Sequence, residues 1–403
     1  MGSRYLSQVS EFFQDRIQVN SLLIVLCFVA VLGLSSQSAA SYPTYFLALA
    51  MLFSFRHWND VFAVNMVWLI SALLLYLAFT SFWSEPSDAR HALSSFIRAI
   101  LVFCFVVAFA ECQLRGLVQR WLGRGVAIAG GIAAVVAIAV FLITQPADGR
   151  LMGLGQLDNQ VIVALILGVV LIFILEIIML ESANAWRIPA LVCAIFIIAA
   201  VYLSDSRNAW ASVLIGALVF VFAHVIKDRQ KYVAALVALV VILVVVLAAL
   251  YANETTREIL LPRGSSFHLG IWMATLSDVW TNGIVFGRGI LTSDDVLVDD
   301  RVWRHPHNMF LAVLFQGGLV ALILFLALLV KTIKTLFENY ELDDAKLALG
   351  VLGVALPSYL LDGHELVDKV GETWFLFWLP VAISVGLSWS QAHRRHPQIA
   401  PDI

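Results

Sequence analysis

Long apolar runs separated by short polar connections recur along almost the whole chain. One of them, at residues 233–252, reads VAALVALVVILVVVLAALYA and holds no charged residue. A helix needs roughly 20 apolar residues to cross a bilayer, so such a run predicts a transmembrane helix. The same pattern predicts about twelve spans, near residues 19–36, 42–55, 61–82, 93–111, 125–144, 159–180, 187–203, 209–226, 232–251, 308–330, 346–361 and 374–390.

These runs indicate an all-α, polytopic membrane protein in which residues 1–403 form a single integral membrane domain. The composition agrees, since 61% of the residues are hydrophobic and 13% are charged. Soluble domains average about 45–50% apolar and about 25% charged residues. Neither a nucleic-acid partner nor a cofactor is expected, and the four cysteines, which lie in or beside apolar runs, are predicted to be unpaired.

The orientation of the spans follows from the basic residues, which favour the cytoplasmic side of a membrane. With the N-terminus in the cytoplasm, 15 of the 25 Lys and Arg residues fall in cytoplasmic segments, and an even number of spans places both termini there. The long connection 252–307 then lies outside. Its stretch FHLGIWMATLSDVW has apolar residues at helical spacing, which predicts an amphipathic helix on the membrane surface.

Two arginines are candidates for binding an anion. Arg207 lies in the tight connection SDSRNAW (204–210), close to the membrane boundary, and Arg263 lies in the long external loop. A guanidinium group presents planar, paired donors that match a phosphate. The alternative for Arg207 is a side chain that reaches for lipid headgroups. Two further external arginines, Arg90 and Arg150, can line the same outer pocket.

The stretch RHPHNMF (304–310) brings polar residues to the start of an apolar span. His305 and His307 flank a proline, and Arg304 and Asn308 lie beside them. A histidine that titrates near neutral pH suits general acid–base chemistry. An interfacial hydrogen bond is the simpler alternative. A metal site would need the aspartates at 294–300, whose spacing matches no ligand signature, so no metal is expected.

Ionisable residues inside predicted spans are costly and often functional. Arg98 lies about one turn from the external end of its span and can reach outward. Glu176 lies near the cytoplasmic end of its span, where it can reach the membrane surface. Neither residue predicts a proton relay, and a transporter would show charges or broken helices at mid-membrane.

Four segments in a fixed order resemble the superfamily of bacterial O-antigen ligases and O-antigen polymerases. They are SRNAW (206–210), RGSSFHLGIW (263–272), NGIVFGRGI (282–290) and HNMFLAVLFQGGLVALILFLALL (307–329). The length, the one dominant external loop and the short C-terminus are most similar to the ligases. The chain departs from the family pattern at Gln316, where a glutamate is common, and at Ile284 and Val285, near a usual proline.

The resemblance implies a GT-C-like glycosyltransferase of the bacterial inner membrane, with its active site facing the periplasm. The donor would be O-antigen polysaccharide on undecaprenyl diphosphate, and the acceptor would be lipid A–core. The implied mechanism is inverting and metal-independent. His307 would be the general base, with His305 as the alternative base or a positioning residue. Arg207 and Arg263 would bind the diphosphate, and Arg90, Arg150, Arg304 and Asn308 are further possible substrate contacts.

Two other functions remain compatible with the sequence. A polymerase or a protein O-oligosaccharyltransferase of the same superfamily would use the same motifs on other substrates. A lipid or solute transporter would be a protein of another class, and its flux would not depend on His307.

Overall fold

The computed structural model describes residues 16–33, 36–85, 88–155, 157–252, 268–363 and 365–395, and within them the fold is almost entirely helical. The longer helices, in chain order, are α1 (Arg16–Gly33), α2 (Tyr42–Ser54), α3 (Asn65–Phe79), α4 (Ala89–Leu114), α5 (Gly123–Thr144), α6 (Gln160–Leu180), α7 (Asn184–Leu203), α8 (Arg207–Val225), α9 (Arg229–Ala252), α10 (His268–Asn282), α11 (Met309–Glu338), α12 (Asp343–Leu361) and α13 (Leu379–Arg395).

Shorter elements complete the described part of the chain. Two strands, β1 (Val296–Val298) and β2 (Arg301–Trp303), form an antiparallel hairpin just before the histidine pair. Single helical turns lie at Gln37–Ala40, Trp58–Phe62, Thr80–Phe82, Val118–Leu122 and Trp374–Trp378.

The predicted spans correspond to helices throughout. Each of the twelve apolar runs falls on one of the elements above, and nine of the helices among the described residues are long and apolar enough to cross a membrane. The shortest run forms α2, which has 13 residues. The prediction of an all-α, polytopic membrane fold is therefore confirmed.

Helices α8 and α12 pack closely because glycines lie at their contact. A Cβ atom on Gly216 would lie 2.3 Å from the Val354 side chain, and one on Gly353 would lie 2.9 Å from the Gly216 backbone. Small residues of this kind let membrane helices approach each other. The contact places the start of α8, at Arg207, and the end of α12, at Leu361, on the same side of the helix bundle.

Helix α11 is broken inside the membrane-spanning region. Gly318 has φ 63° and ψ −162°, which interrupts the helix, whereas the sequence predicted one unbroken span over 308–330. The loop segment 283–289 fills the break. The amides of Arg288 and Gly289 donate to the carbonyls of Phe315 and Gln316, at 2.7 and 2.9 Å. Backbone groups freed within a membrane must find such partners, so the break is held by the loop.

Helix α10 confirms the predicted helix of the long loop. One of its faces is buried against α11 and the β1–β2 hairpin through Ile271, Thr275 and Val279. The opposite face carries a large exposed apolar stripe, formed by Leu269, Met273, Leu276 and Trp280. Its contact with the membrane surface stays a prediction. Trp272, which the sequence grouped with the stripe, is half-buried instead.

The two ionisable residues inside spans have different environments. The Arg98 guanidinium reaches the connection that follows α12, 2.9 Å from the Asp368 carboxylate. Glu176 is only 4% exposed, so the expectation that its side chain reaches the membrane surface is wrong.

Candidate functional site

His307 lies in a tight turn just before α11 begins. Its φ of 50° is in the left-handed region. A non-glycine residue pays about 1–3 kcal/mol for such a conformation, and such strain clusters at functional sites. Asn308 then begins the helix: its side chain accepts from the amides of Phe310 and Leu311.

The imidazole of His307 is paired with a carboxylate from the end of α12. Its Nδ1 atom lies 3.3 Å from Oδ1 of Asp362. Burial acts to raise the pKa of Asp362, but hydrogen bonds from His307 and from the Gly363 amide hold that pKa below its ordinary value. The carboxylate is therefore ionised at neutral pH and accepts a hydrogen bond from Nδ1–H. This tautomer leaves Nε2 of His307 free to take a proton.

His305 supports the turn of its neighbour. Its Nδ1 atom accepts a hydrogen bond from the backbone amide of His307 at 3.3 Å, and the two ring centroids are 3.9 Å apart. An imidazole nitrogen that accepts an amide proton carries no proton itself. The geometry therefore favours His305 as a positioning residue and His307 as the base.

A cavity of about 110 Å³ opens beside His305 and Asp362. His305, Asp362 and Glu372 lie on one part of its wall, and Asn159, at the start of α6, lies on another. Polar groups that converge on a concave site are typical of ligand-binding pockets. The cavity thus extends the histidine site toward the connection that leads into α6.

An ion-pair cluster fixes the connection that carries Asp362. Besides its contact with Asp368, Arg98 lies 3.9 Å from the Glu365 carboxylate. Burial, followed by the charge of Asp368, raises the pKa of Glu365 to about 8. Glu365 is accordingly protonated at neutral pH. A buried acid next to another acid is stable in this protonated form, and the cluster ties residues 362–368 to α4.

Arg207 emerges at the same level as Asp362. Gly216 packs against Gly350 and Val354. From that contact, α8 leads back to Arg207 and α12 leads on to Leu361, each over about two to three helical turns in the same direction. The Arg207 side chain is exposed there. Arg150, in the connection between α5 and α6, contacts the turn that precedes Arg207, because its Nη2 donates to the Asp205 carbonyl at 2.7 Å. The structure therefore places Arg150 against the turn from which Arg207 begins α8.

The remaining predicted residues differ in their surroundings. Arg304 is exposed beside the histidine turn, and Arg90 is exposed in the first turn of α4. Asn308 is buried, and its amide group also donates to the Leu360 carbonyl at 3.0 Å, so it joins α11 to α12. Arg263 lies outside the residues that the structure describes.

Sequence reasoning missed Asp362, Glu365 and His268. The first two lie in the short connection 362–373, which alternates acids with apolar residues, and span counting already placed it on the same side as His307. The number of predicted spans was therefore the signal that could have linked this connection to His307. The ring of His268 lies 5.9 Å from that of His307, and burial, followed by the charge of His307, lowers the pKa of His268.

Three donor atoms of metal-ligating type also meet in this site. One atom each from His305, His307 and Asp362 lies within 4.8 Å of the other two. By donor type, the three residues can hold a metal ion. Asp362, which the sequence analysis did not consider, supplies the carboxylate of this group.

Comparisons with known proteins agree with the motifs. Residues 191–326 match the sequence profile of the family described as "O-Antigen ligase". The chain is also 27% identical over 347 residues to an O-antigen ligase of Pseudomonas aeruginosa, an alignment that covers 81% of each protein. Both findings show that the chain is similar to the O-antigen ligases, and the resemblance predicted from the four motifs is confirmed.

Proposed function

We propose that this relative of the O-antigen ligases is a membrane glycosyltransferase that joins O-antigen polysaccharide to lipid A–core. The donor is the polysaccharide on undecaprenyl diphosphate, and the acceptor is a sugar hydroxyl of the core. The observation that carries the proposal is the His307–Asp362 pair at 3.3 Å, in a chain similar to those ligases. Both substrates are anchored in lipid, which suits a general base such as His307 at the end of a membrane helix.

The proposed chemical step needs one proton acceptor. The acceptor hydroxyl attacks C1 of the donor sugar while Nε2 of His307 takes its proton. The bond from C1 to the diphosphate oxygen breaks, and undecaprenyl diphosphate leaves with the electron pair, so the configuration at C1 inverts. Asp362 fixes the tautomer and stabilises the imidazolium that forms, as a carboxylate does beside a catalytic histidine.

The leaving diphosphate needs positive charge near C1. Among the residues that the structure describes, Arg207 is the candidate, because its side chain is exposed and lies on the same side of the helix bundle as Asp362. Arg150 supports the same turn through Asp205. Arg263 is proposed as the second arginine on the strength of the family resemblance. Charge-assisted hydrogen bonds from guanidinium groups can stabilise a diphosphate without a metal ion.

The proposed location is the bacterial inner membrane, with both termini in the cytoplasm and the site facing the periplasm. The excess of Lys and Arg in one set of connections supports this orientation. Ser293 is exposed in the connection between α10 and β1, and a cysteine there should react with a membrane-impermeant maleimide in intact spheroplasts. Labelling only after lysis would reverse the orientation.

The lipopolysaccharide ladder of a strain that lacks this protein tests the proposed reaction. A ligase predicts a lost ladder together with long polymer that accumulates on the lipid carrier. Single repeat units on the carrier, with no polymer, would instead identify a polymerase. An unchanged ladder would contradict both assignments.

A further inference from the structure

Aromatic rings surround His307 on more than one side. The centroids of the Trp303 and His268 rings each lie 5.9 Å from that of His307, and both rings meet it edge to face. Trp272 continues the group, since its ring centroid is 5.9 Å from that of His268. We propose that Trp272, His268 and Trp303 form the subsite for the acceptor sugar ring, an inference that rests on the proposed function.

The fold holds these three rings in a fixed arrangement. Trp303 ends strand β2, while His268 and Trp272 are one turn apart on α10, so they share a face of that helix. The hairpin and the helix are in close contact, because a Cβ atom on Gly270 would lie 2.9 Å from Val298. The rings therefore belong to two packed elements, which hold them beside His307.

Two nitrogen atoms of the group have unused hydrogen-bonding capacity. Nδ1 of His268 and Nε1 of Trp272 have no hydrogen-bond partner among the residues that the structure describes. Buried polar atoms are nearly always hydrogen-bonded in folded proteins. An indole N–H is a donor, and an imidazole nitrogen can donate or accept. Sugar hydroxyl groups, which also do both, can satisfy the two atoms.

The chemistry of the group suits a pyranose ring. Aromatic faces carry partial negative charge, which attracts the C–H groups on the apolar face of a sugar and disfavours an anion. None of the three residues carries a guanidinium or ammonium group. The diphosphate therefore belongs with the arginines, and the aromatic group is left for a neutral sugar face.

The distance to the base selects the acceptor sugar over the donor sugar. A hydroxyl that gives its proton to His307 must lie about 2.6–3.2 Å from the imidazole nitrogen. The ring that bears this hydroxyl is directly attached to it. Rings whose centroids lie 5.9 Å from that of His307 are therefore within contact distance of that sugar.

Steady-state kinetics of purified variants, with acceptor and donor concentrations varied separately, test the subsite. Trp303→Leu and Trp272→Leu should each raise KM for lipid A–core about tenfold, the upper range for losing an aromatic contact. KM for the lipid-linked donor should stay within about twofold of wild type. Trp303→Phe should recover part of the loss, because phenylalanine restores a ring face.

Trp280→Leu is the matched control, because Trp280 lies on the exposed face of the same helix and should leave both KM values unchanged. If Trp303→Leu and Trp272→Leu retain the wild-type acceptor KM, or raise the donor KM instead, the subsite assignment is wrong. If the subsite test fails but His307→Ala loses transfer, the proposed function is still supported. Retained transfer in His307→Ala would contradict the proposed function itself.

Discussion

The Nδ1 atom of His307 lies 3.3 Å from Oδ1 of Asp362, although 55 positions separate the two residues in the chain. The contact forms where α11 begins and α12 ends, at the same membrane boundary. Asn308 reinforces it by donating to the Leu360 carbonyl. The pair joins a polar turn after the long loop to a polar turn after the penultimate span.

Replacing Asp362 by asparagine should lower kcat about 10²–10⁴-fold, with little change in either KM. Asparagine keeps the size of the side chain but no longer stabilises a protonated His307. The measurement is transfer by purified protein with both lipid substrates. Asp295→Asn is the matched control, because Asp295 is an exposed acid in the connection between α10 and β1. Wild-type kcat for Asp362→Asn would remove the carboxylate from the mechanism.

Activity should fall as the pH rises above about 8, where Glu365 loses its proton. The folded state binds this proton more tightly than the unfolded chain, in which the glutamate has its ordinary pKa of 4.5. Stability therefore decreases as the pH rises from 4.5 through about 8, and the anchor of Asp362 loosens. Glu365→Gln, which cannot ionise, should retain activity at pH 9. If Glu365→Gln loses activity at high pH in the same way as the wild type, another group causes the decrease.

Gly318→Ala should destabilise the protein and abolish transfer. The positive φ alone costs alanine about 1–3 kcal/mol, and its Cβ would lie 2.3 Å from the Val285 carbonyl oxygen. Thermal unfolding in detergent provides the measurement. Gly371→Ala is the control, since its nearest contact would be 3.7 Å. A melting temperature for Gly318→Ala equal to that of the control would mean that the break in α11 is dispensable.

The spans could be predicted from sequence because each depends mainly on its own apolar run. The break at Gly318 could not, since it depends on backbone hydrogen bonds from a loop about 30 positions earlier. The pattern of α11 alone is apolar on both sides of the break. A glycine pair inside such a run is compatible with close helix packing as well as with an interruption.

The candidate site was predictable only in part, for the same physical reason. His305, His307 and Arg207 lie beside local signals, a proline and a tight hairpin, at the ends of apolar runs. Asp362 carries no comparable local signal, and its role depends on the packing of α11 against α12. The short connection 362–373 therefore looked like an ordinary polar loop.

Transfer should continue in excess EDTA. Although His305, His307 and Asp362 have donor atoms within 4.8 Å of one another, the proposed mechanism uses His307 as a general base and needs no metal ion. The measurement is the rate of purified protein before and after chelation. If chelation abolishes activity and one divalent ion restores it, the reaction depends on a bound metal ion, and the proposal that His307 acts as a general base is wrong.

His307→Ala, compared with His305→Ala in a purified assay with both lipid substrates, tests the central claim most directly. Loss of the general base should reduce transfer about 10²–10⁴-fold, while binding of the lipid-linked donor, measured separately, stays intact. His305→Ala should cost less, because His305 supports the turn and does not take the proton. Transfer by His307→Ala close to the wild-type rate would contradict the account.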